Sequence, residues 1–173
     1  MNILIVGSGG REHAIAARLR HDDPGASIYV APGNPGTAGP GQNVPLSVSD
    51  LAGLADFAAD RAIDVTVDGP EQPLADGIAE VFEARGLPLF GPSRQAARLE
   101  SSKVFSKELM RDCGFATAGF EIFTDYDRAA DFVSGIEPPI VVKASGLAAG
   151  KGAVVAESLA DALEALRKMM VED

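Results

Sequence analysis

Ile3-Leu4-Ile5-Val6 is an unbroken apolar run, the pattern of a strand buried on both faces of a parallel sheet. Gly7-Ser8-Gly9-Gly10 turns the chain. Arg11–Arg20 then predicts a helix with Ala14, Ile15 and Leu19 on one face, stopped by His21-Asp22-Asp23-Pro24-Gly25. Ser27–Val30 predicts a second strand, Ala31–Gln42 a loop dense in glycine and proline, and Asn43–Leu46 a short strand. Asp50 is placed to cap a helix over Leu51–Arg61, whose Leu51, Leu54, Ala55 and Ala58 share a face. Ile63–Val67 predicts a strand, Asp68–Pro73 a tight loop, and Leu74–Arg85 one helix ended by Gly86. Leu87–Phe90 predicts a last short strand, closed by Gly91-Pro92.

Strands alternating with helices over the first hundred residues argue for a doubly wound, mostly parallel, Rossmann-like α/β sheet. Ligands in such sheets sit outside the carboxyl ends of the strands. Three loops meet that description: Gly7–Glu12, Ala31–Asn34 and Asp68–Glu71.

The pattern changes from Ser93 onward. Ser101–Cys113 reads as a helix stopped by Gly114, Phe120–Phe123 as a strand, and Asp125–Ser134 as a helix capped by Thr124. Pro139–Lys143 and Ala153–Ala156 read as strands, and Ser158 caps a final helix, Leu159–Met170. Between those two strands lies Ala144-Ser145-Gly146-Leu147-Ala148-Ala149-Gly150-Lys151-Gly152. Glycines let several backbone N–H groups converge on one anion. The chain has only five lysines, and two of them, Lys143 and Lys151, fall at the root and tip of this hairpin. The stretch reads as a flap over phosphates, with an ordinary hairpin loop as the plainer alternative. It is not a Walker A loop: Ser145 stands where the first glycine belongs, Gly152 where Ser or Thr belongs, and a strand follows instead of a helix.

Composition narrows the functions. The 173 residues are enough for one sizeable domain, or a small one and part of another, and 46% are hydrophobic, enough for a core. A net charge of −10 argues against a nucleic-acid partner. Cys113 is the only cysteine, which excludes an internal disulfide and a cysteine-built zinc site and fits a reducing, cytoplasmic setting. No apolar run approaches the roughly 20 residues of a membrane span, and Met1–Val6 lacks the features of a signal peptide.

The first loop matches two glycines of a dinucleotide fingerprint, but Glu12 replaces the third and Val30-Ala31-Pro32 offers no acid for a ribose. A smaller phosphate at the helix N-terminus fits better. Glu12 is also explained by the helix dipole alone, His13 reads as a surface histidine, and Lys103 near a helix start as either an anion contact or a solvated side chain.

Six ordered motifs, spanning the whole chain, resemble the phosphoribosylamine–glycine ligase (glycinamide ribonucleotide synthetase) family of the ATP-grasp superfamily. They are Gly7-Ser8-Gly9-Gly10-Arg11-Glu12-His13-Ala14, Ala31-Pro32-Gly33-Asn34-Pro35-Gly36-Thr37, Gly69-Pro70-Glu71-Gln72-Pro73-Leu74, Phe90-Gly91-Pro92, Leu99-Glu100-Ser101-Ser102-Lys103 and Gly146–Gly152. The resemblance implies a Rossmann-like domain over 1–100 and, over 101–173, the start of an ATP-grasp domain: a linker helix and an incomplete α+β flap subdomain. It implies ATP-dependent ligation of 5-phosphoribosylamine to glycine in purine synthesis, through a glycyl phosphate, in the cytoplasm. By resemblance Lys103, Lys143 and the loop Ser145, Gly146, Leu147, Ala148, Ala149, Gly150, Lys151 and Gly152 contact ATP. Gly9, Gly10, Arg11, Glu12, Gly33, Asn34, Gly69, Pro70 and Glu71 face the phosphoribosyl substrate. ATP acts with magnesium or manganese, whose ligands the resemblance places beyond Asp173, in a C-terminal portion with the glycine site. The chain is then one jaw of the enzyme, expected to be inactive alone. Two positions depart from the family pattern: Ser145 where an aspartate is usual, and Asp68 where an aliphatic residue is usual. They leave open a truncated phosphoribosyl-binding module without catalysis, and another ATP-grasp ligase is the alternative among enzymes.

Overall fold

The computed structural model describes residues 1–147 and 152–172. The chain divides into two compact units, Met1–Arg98 and Leu99–Asp173.

In the first unit β1 (Asn2–Gly7) leads to α1 (Gly10–Asp22), β2 (Ser27–Pro32) and β3 (Gln42–Asn43). Then come α2 (Leu51–Asp60), β4 (Val65–Asp68), α3 (Glu71–Asp76), α4 (Ile78–Glu83) and β5 (Leu89–Phe90). The strands form one five-stranded sheet, ordered β3-β2-β1-β4-β5, and every pair is parallel. β1 runs from Asn2 opposite Ser27 to Gly7 opposite Pro32 on one side, and pairs Ile3 with Val65 through Val6 with Asp68 on the other.

A central parallel strand is covered on both faces, which is why β1 is apolar without alternation. Leu4 and Val6 pack with Leu54, Ala55 and Ala58 of α2 and Ile78 and Phe82 of α4. Ile3 and Ile5 pack on the other face with Ala16 of α1 and Ile28 and Val30 of β2. Asp50 caps α2 by accepting from the Gly53 N–H at 2.9 Å, as the sequence predicts.

Residues 74–85 are not the single helix expected. α3 starts at Glu71, inside the expected tight loop, and the chain breaks at Gly77, in the left-handed region at φ 95°, before α4 begins. The Arg94 guanidinium donates to the Asp76 carbonyl at the break, in the space a Cβ on residue 77 would take. Glycine is required there on both counts. α5 (Arg94–Ser101), which the sequence did not reveal, spans the position where the units divide.

The second unit holds α6 (Lys103–Asp112), α7 (Tyr126–Ser134), β6 (Ile140–Lys143), β7 (Ala153–Ala156) and α8 (Leu159–Met170). The expected hairpin is present: β6 and β7 are antiparallel, from Ile140 opposite Ala156 to Lys143 opposite Ala153. Ala129 and Val133 of α7, Val142, Ala156, and Ala162, Ala165 and Leu166 of α8 form the core on one face. On the other face the paired Val141 and Val155 stay 51% and 64% exposed. Ser158 caps α8 in a reciprocal arrangement with Asp161.

Two expectations fail in this unit. Phe120–Phe123 is not a strand: β propensity reflects packing against cross-strand neighbours and does not by itself make a strand. Its aromatics are used separately, Phe123 packing against the α7–α8 core and Phe120 lying under the Lys107 ammonium. The cap of α7 is Asp125, accepting from Arg128 N–H at 2.9 Å, one residue beyond Thr124. No helix among the described residues is long and apolar enough to cross a membrane.

Candidate functional site

The strand order reverses direction of winding between β1 and β4, which leaves a crevice at their carboxyl ends. A cleft of about 420 Å³ lies there, lined by Gly7, Ser8, Gly9, Gly10, Arg11, Glu12, Val48, Pro70 and Glu71. Its floor is the turn from β1 into α1, where the first backbone N–H groups of the helix have no intrahelical acceptor.

Glu12 organises this turn. Only 4% of it is exposed. Its Oε2 accepts the Gly9 N–H at 2.5 Å, and its side chain fills the space beside Gly7, Gly9 and Gly69. A Cβ on Gly7 would stand 2.6 Å from the Glu12 side chain, and one on Gly69 would overlap the carboxylate. The helix dipole alone, one of the two explanations the sequence offers for Glu12, therefore misses its main work, which is to join the first and third loops. Arg11 repeats the join from outside: its guanidinium donates to the Gly69 carbonyl and lies 3.5 Å from Glu71 Oε1.

The second loop is tied to the first. The Asn34 side-chain amide donates to the Ser8 carbonyl at 2.8 Å, and Gly33 N–H donates to the Gly7 carbonyl at 3.1 Å. Asn34 Oδ1 accepts from Gly36 and Thr37 N–H at 2.7 and 3.1 Å. The buried Thr37 hydroxyl donates to Asn43 Oδ1 at 2.6 Å. All three loops predicted from the sequence thus meet at one end of the sheet, but Gly33, Asn34 and Gly69 do not line the cleft. Gly33 and Asn34 brace the Gly7–Gly9 turn that does, and Gly69 leaves room for the Glu12 side chain. Ser8 and Val48 line it without having been singled out. Val48 follows β3 and carries no chemical signal in the sequence.

Behind the cleft, Asp68 ends β4. Both its carboxyl oxygens are buried without a hydrogen-bond partner. Burial, followed by the negative charges of Glu12 and Glu71, pushes its pKa up to about 7.

A second cleft, about 350 Å³, lies by Ser27 and Ile28 at the other end of β2. Its guanidinium, on Arg20, is spent on the Pro40 and Pro24 carbonyls at 3.0 and 2.7 Å.

In the second unit the Lys103 ammonium donates to the Gly146 carbonyl at 2.8 Å. The Val104 N–H reaches Ser145 Oγ at 3.5 Å. The start of α6 is therefore fastened to the root of the glycine-rich loop, and Lys103 has a partner that the sequence did not suggest. Lys143 is exposed at the end of β6, and the Ala144 N–H donates to the Gly152 carbonyl at 2.8 Å, closing the loop's base. Ala148, Ala149, Gly150 and Lys151 lie outside the described residues. Among the described residues no group of three or more His, Cys, Asp or Glu could hold a metal ion.

The family model for the N domain of phosphoribosylglycinamide synthetase matches residues 1–100, and the model for its ATP-grasp (A) domain matches residues 101–173. The chain belongs to the phosphoribosylglycinamide synthetase family. It is 46% identical over 172 residues to a phosphoribosylamine–glycine ligase of Vibrio cholerae, covering 98% of this chain and 40% of that protein. The ligase of the same name from Pseudomonas aeruginosa is also 46% identical, with the same coverage. The crystal structure of a phosphoribosylamine–glycine ligase from Thermotoga maritima superposes with a TM-score of 0.77 at 31% identity, covering 99% of this chain and 40% of that one. The chain thus spans about 40% of the length of these synthetase-family relatives. An N5-carboxyaminoimidazole ribonucleotide synthetase from Thermus thermophilus shares the fold, with a TM-score of 0.73 at 21% identity.

Proposed function

We propose that this chain supplies the phosphoribosyl site and one side of the ATP site of a phosphoribosylamine–glycine ligase. The observation that carries the reading is 46% identity, along nearly the whole chain, to a protein of that name. In the reaction the glycine carboxylate attacks the γ-phosphorus of ATP, releasing ADP and leaving a glycyl phosphate. The amine of phosphoribosylamine then attacks the glycyl carbonyl, the C–O bond to phosphate breaks, and glycinamide ribonucleotide forms.

The residues of the switch-point cleft suit the first partner. The free N–H groups at the start of α1 and the Arg11 guanidinium meet a sugar phosphate, while Glu12 and Glu71 accept from sugar hydroxyls. Gly9, Gly10 and Pro70 shape the walls, Gly69 leaves room for Glu12 behind them, and Gly33 and Asn34 hold the Gly7–Gly9 turn in place.

The second unit suits the nucleotide. Lys103, Lys143 and the Ser145–Gly152 loop, including Leu147 and Lys151, cover the triphosphate and exclude water from the acyl phosphate. ATP supplies the phosphoryl group that activates glycine. Lys103 exchanges its bond to the Gly146 carbonyl for a phosphate oxygen, which releases the loop as it gains a ligand. Magnesium accompanies the nucleotide through ligands other than the described residues. The domain division is placed near residue 100, the working compartment is the cytoplasm, and the partners are small molecules rather than nucleic acid or membrane.

Calorimetry on the 173-residue chain tests the reading. Ribose 5-phosphate, a stable stand-in for the substrate, binds; Arg11→Ala weakens it; and ATP with glycine and phosphoribosylamine yields no ADP from this chain alone. Fusing residues 1–173 to the remaining part of the Vibrio cholerae relative restores ADP release that needs both glycine and phosphoribosylamine. A folded fusion that releases ADP without needing phosphoribosylamine overturns the assignment.

A further inference from the structure

Asp68 occupies an unusual place for an acid. It ends β4 beside Val6 of β1, one residue before the Pro70–Glu71 wall of the cleft, with both carboxyl oxygens buried and unpartnered. The charged groups facing it are Glu12 from α1 and Glu71 from α3. From the side of β5 come only Leu89, Phe90 and Gly91. Arg11, the cation that lines the cleft, is engaged with the Gly69 carbonyl and Glu71. When Asp68 is ionised, three carboxylates therefore stand together beside a cleft whose helix N-terminus favours anions. When it is neutral, one of those charges is gone.

We propose that Asp68 is a positioning residue that makes anion binding at the switch-point cleft depend on its own protonation: a sugar phosphate binds with Asp68 neutral and is repelled with Asp68 ionised. The inference rests on the phosphoribosyl reading of the cleft and adds a regulatory property to it. The gate works within the neutral range, because burial and the two neighbouring carboxylates push the pKa of Asp68 up to about 7. Glu12 transmits the charge, since it lines the cleft and faces Asp68. If only the neutral form binds, affinity falls by about tenfold between pH 6 and pH 8.

Two measurements test the gate. The first is a carbon-detected NMR titration of the Asp68 carboxyl in the chain without ligand. A midpoint near 7 is expected, and one below about 5, close to an ordinary aspartate, overturns the proposal. The second is calorimetry with ribose 5-phosphate at pH 6 and pH 8 for the wild-type chain and Asp68→Asn. The comparison cancels the titration of the phosphate itself. The wild-type affinity, divided by that of Asp68→Asn, drops about tenfold across this range. Binding with an unchanging ratio overturns the Asp68 gate and leaves the cleft assignment standing. Binding by the wild-type chain but not by Asp68→Asn overturns the gate alone, and no binding by either protein at either pH overturns the cleft assignment and the gate with it.

Discussion

Replacing Asp68 by asparagine should make the protein more stable at alkaline pH and leave it unchanged in acid. Asparagine has the shape of the protonated acid and no charge to lose. In the native chain burial and the Glu12 and Glu71 charges raise the Asp68 pKa from 3.8 to about 7. Between those values the folded chain keeps a proton that the unfolded chain has released. Stability from this group is therefore greatest below about pH 4, falls as pH rises, and levels off above about pH 7. A tenfold change in proton affinity is worth about 1.4 kcal/mol, so the full difference sets a ceiling of about 4 kcal/mol. Asp68 is half-buried rather than sealed, and solvent screens it, which brings the expected effect to about 1–2 kcal/mol. The assay is thermal unfolding of both proteins at pH 4 and pH 8, with NMR signals of β1 and β4 reporting on the first unit. For a unit of this size the gain is roughly 5–10 °C at pH 8 and about zero at pH 4. An Asp68→Asn protein no more stable than wild type at pH 8, or equally stabilised at both, would refute the reasoning.

Three further outcomes are expected. Gly69→Ala places a Cβ in the Glu12 carboxylate; it should cost about 1–3 kcal/mol in urea unfolding and weaken ribose 5-phosphate binding in calorimetry. Phe82→Ala empties a fully buried position between α4 and the sheet and should cost about 3–5 kcal/mol, read by the same unfolding curves. Ser158→Ala removes both the bond to Asp161 N–H and the Asp161 carboxylate's bond to the serine hydroxyl; it should cost about 1 kcal/mol, with faster amide exchange in the first turn of α8.

The parallel sheet was legible because its signal is dense: Ile3–Val6 has no polar residue, and each of the three ligand loops follows a strand at its carboxyl end. The hairpin was legible for the same reason, since Val141-Val142 and Val154-Val155 bracket a glycine-rich gap. What failed was tertiary in origin. The apolar spacing of Leu74–Arg85 is helical throughout, and only the meeting of Gly77 with Arg94 marks the break. Phe120–Phe123 has strand composition but pairs with no strand among the described residues. Within the site, Glu12 could be placed in the first turn of a helix, whereas its insertion between Gly7 and Gly69 depends on β4 lying beside β1. The Lys103–Gly146 bond joins residues 43 positions apart, so no local pattern contains it.

Gly69 has a history written into its neighbour. Its backbone does not demand glycine; only the volume of Glu12 forbids a side chain. The restriction is thus conditional, and the order of substitutions matters. Gly69→Ala is harmful while Glu12 is present, but becomes tolerable after Glu12 is shortened to alanine. Glu12→Ala alone leaves the Gly9 N–H without its acceptor. A lineage could leave this arrangement only by passing through one poorly folded intermediate or the other. Two touching residues from different loops are thereby locked into inheritance as a pair.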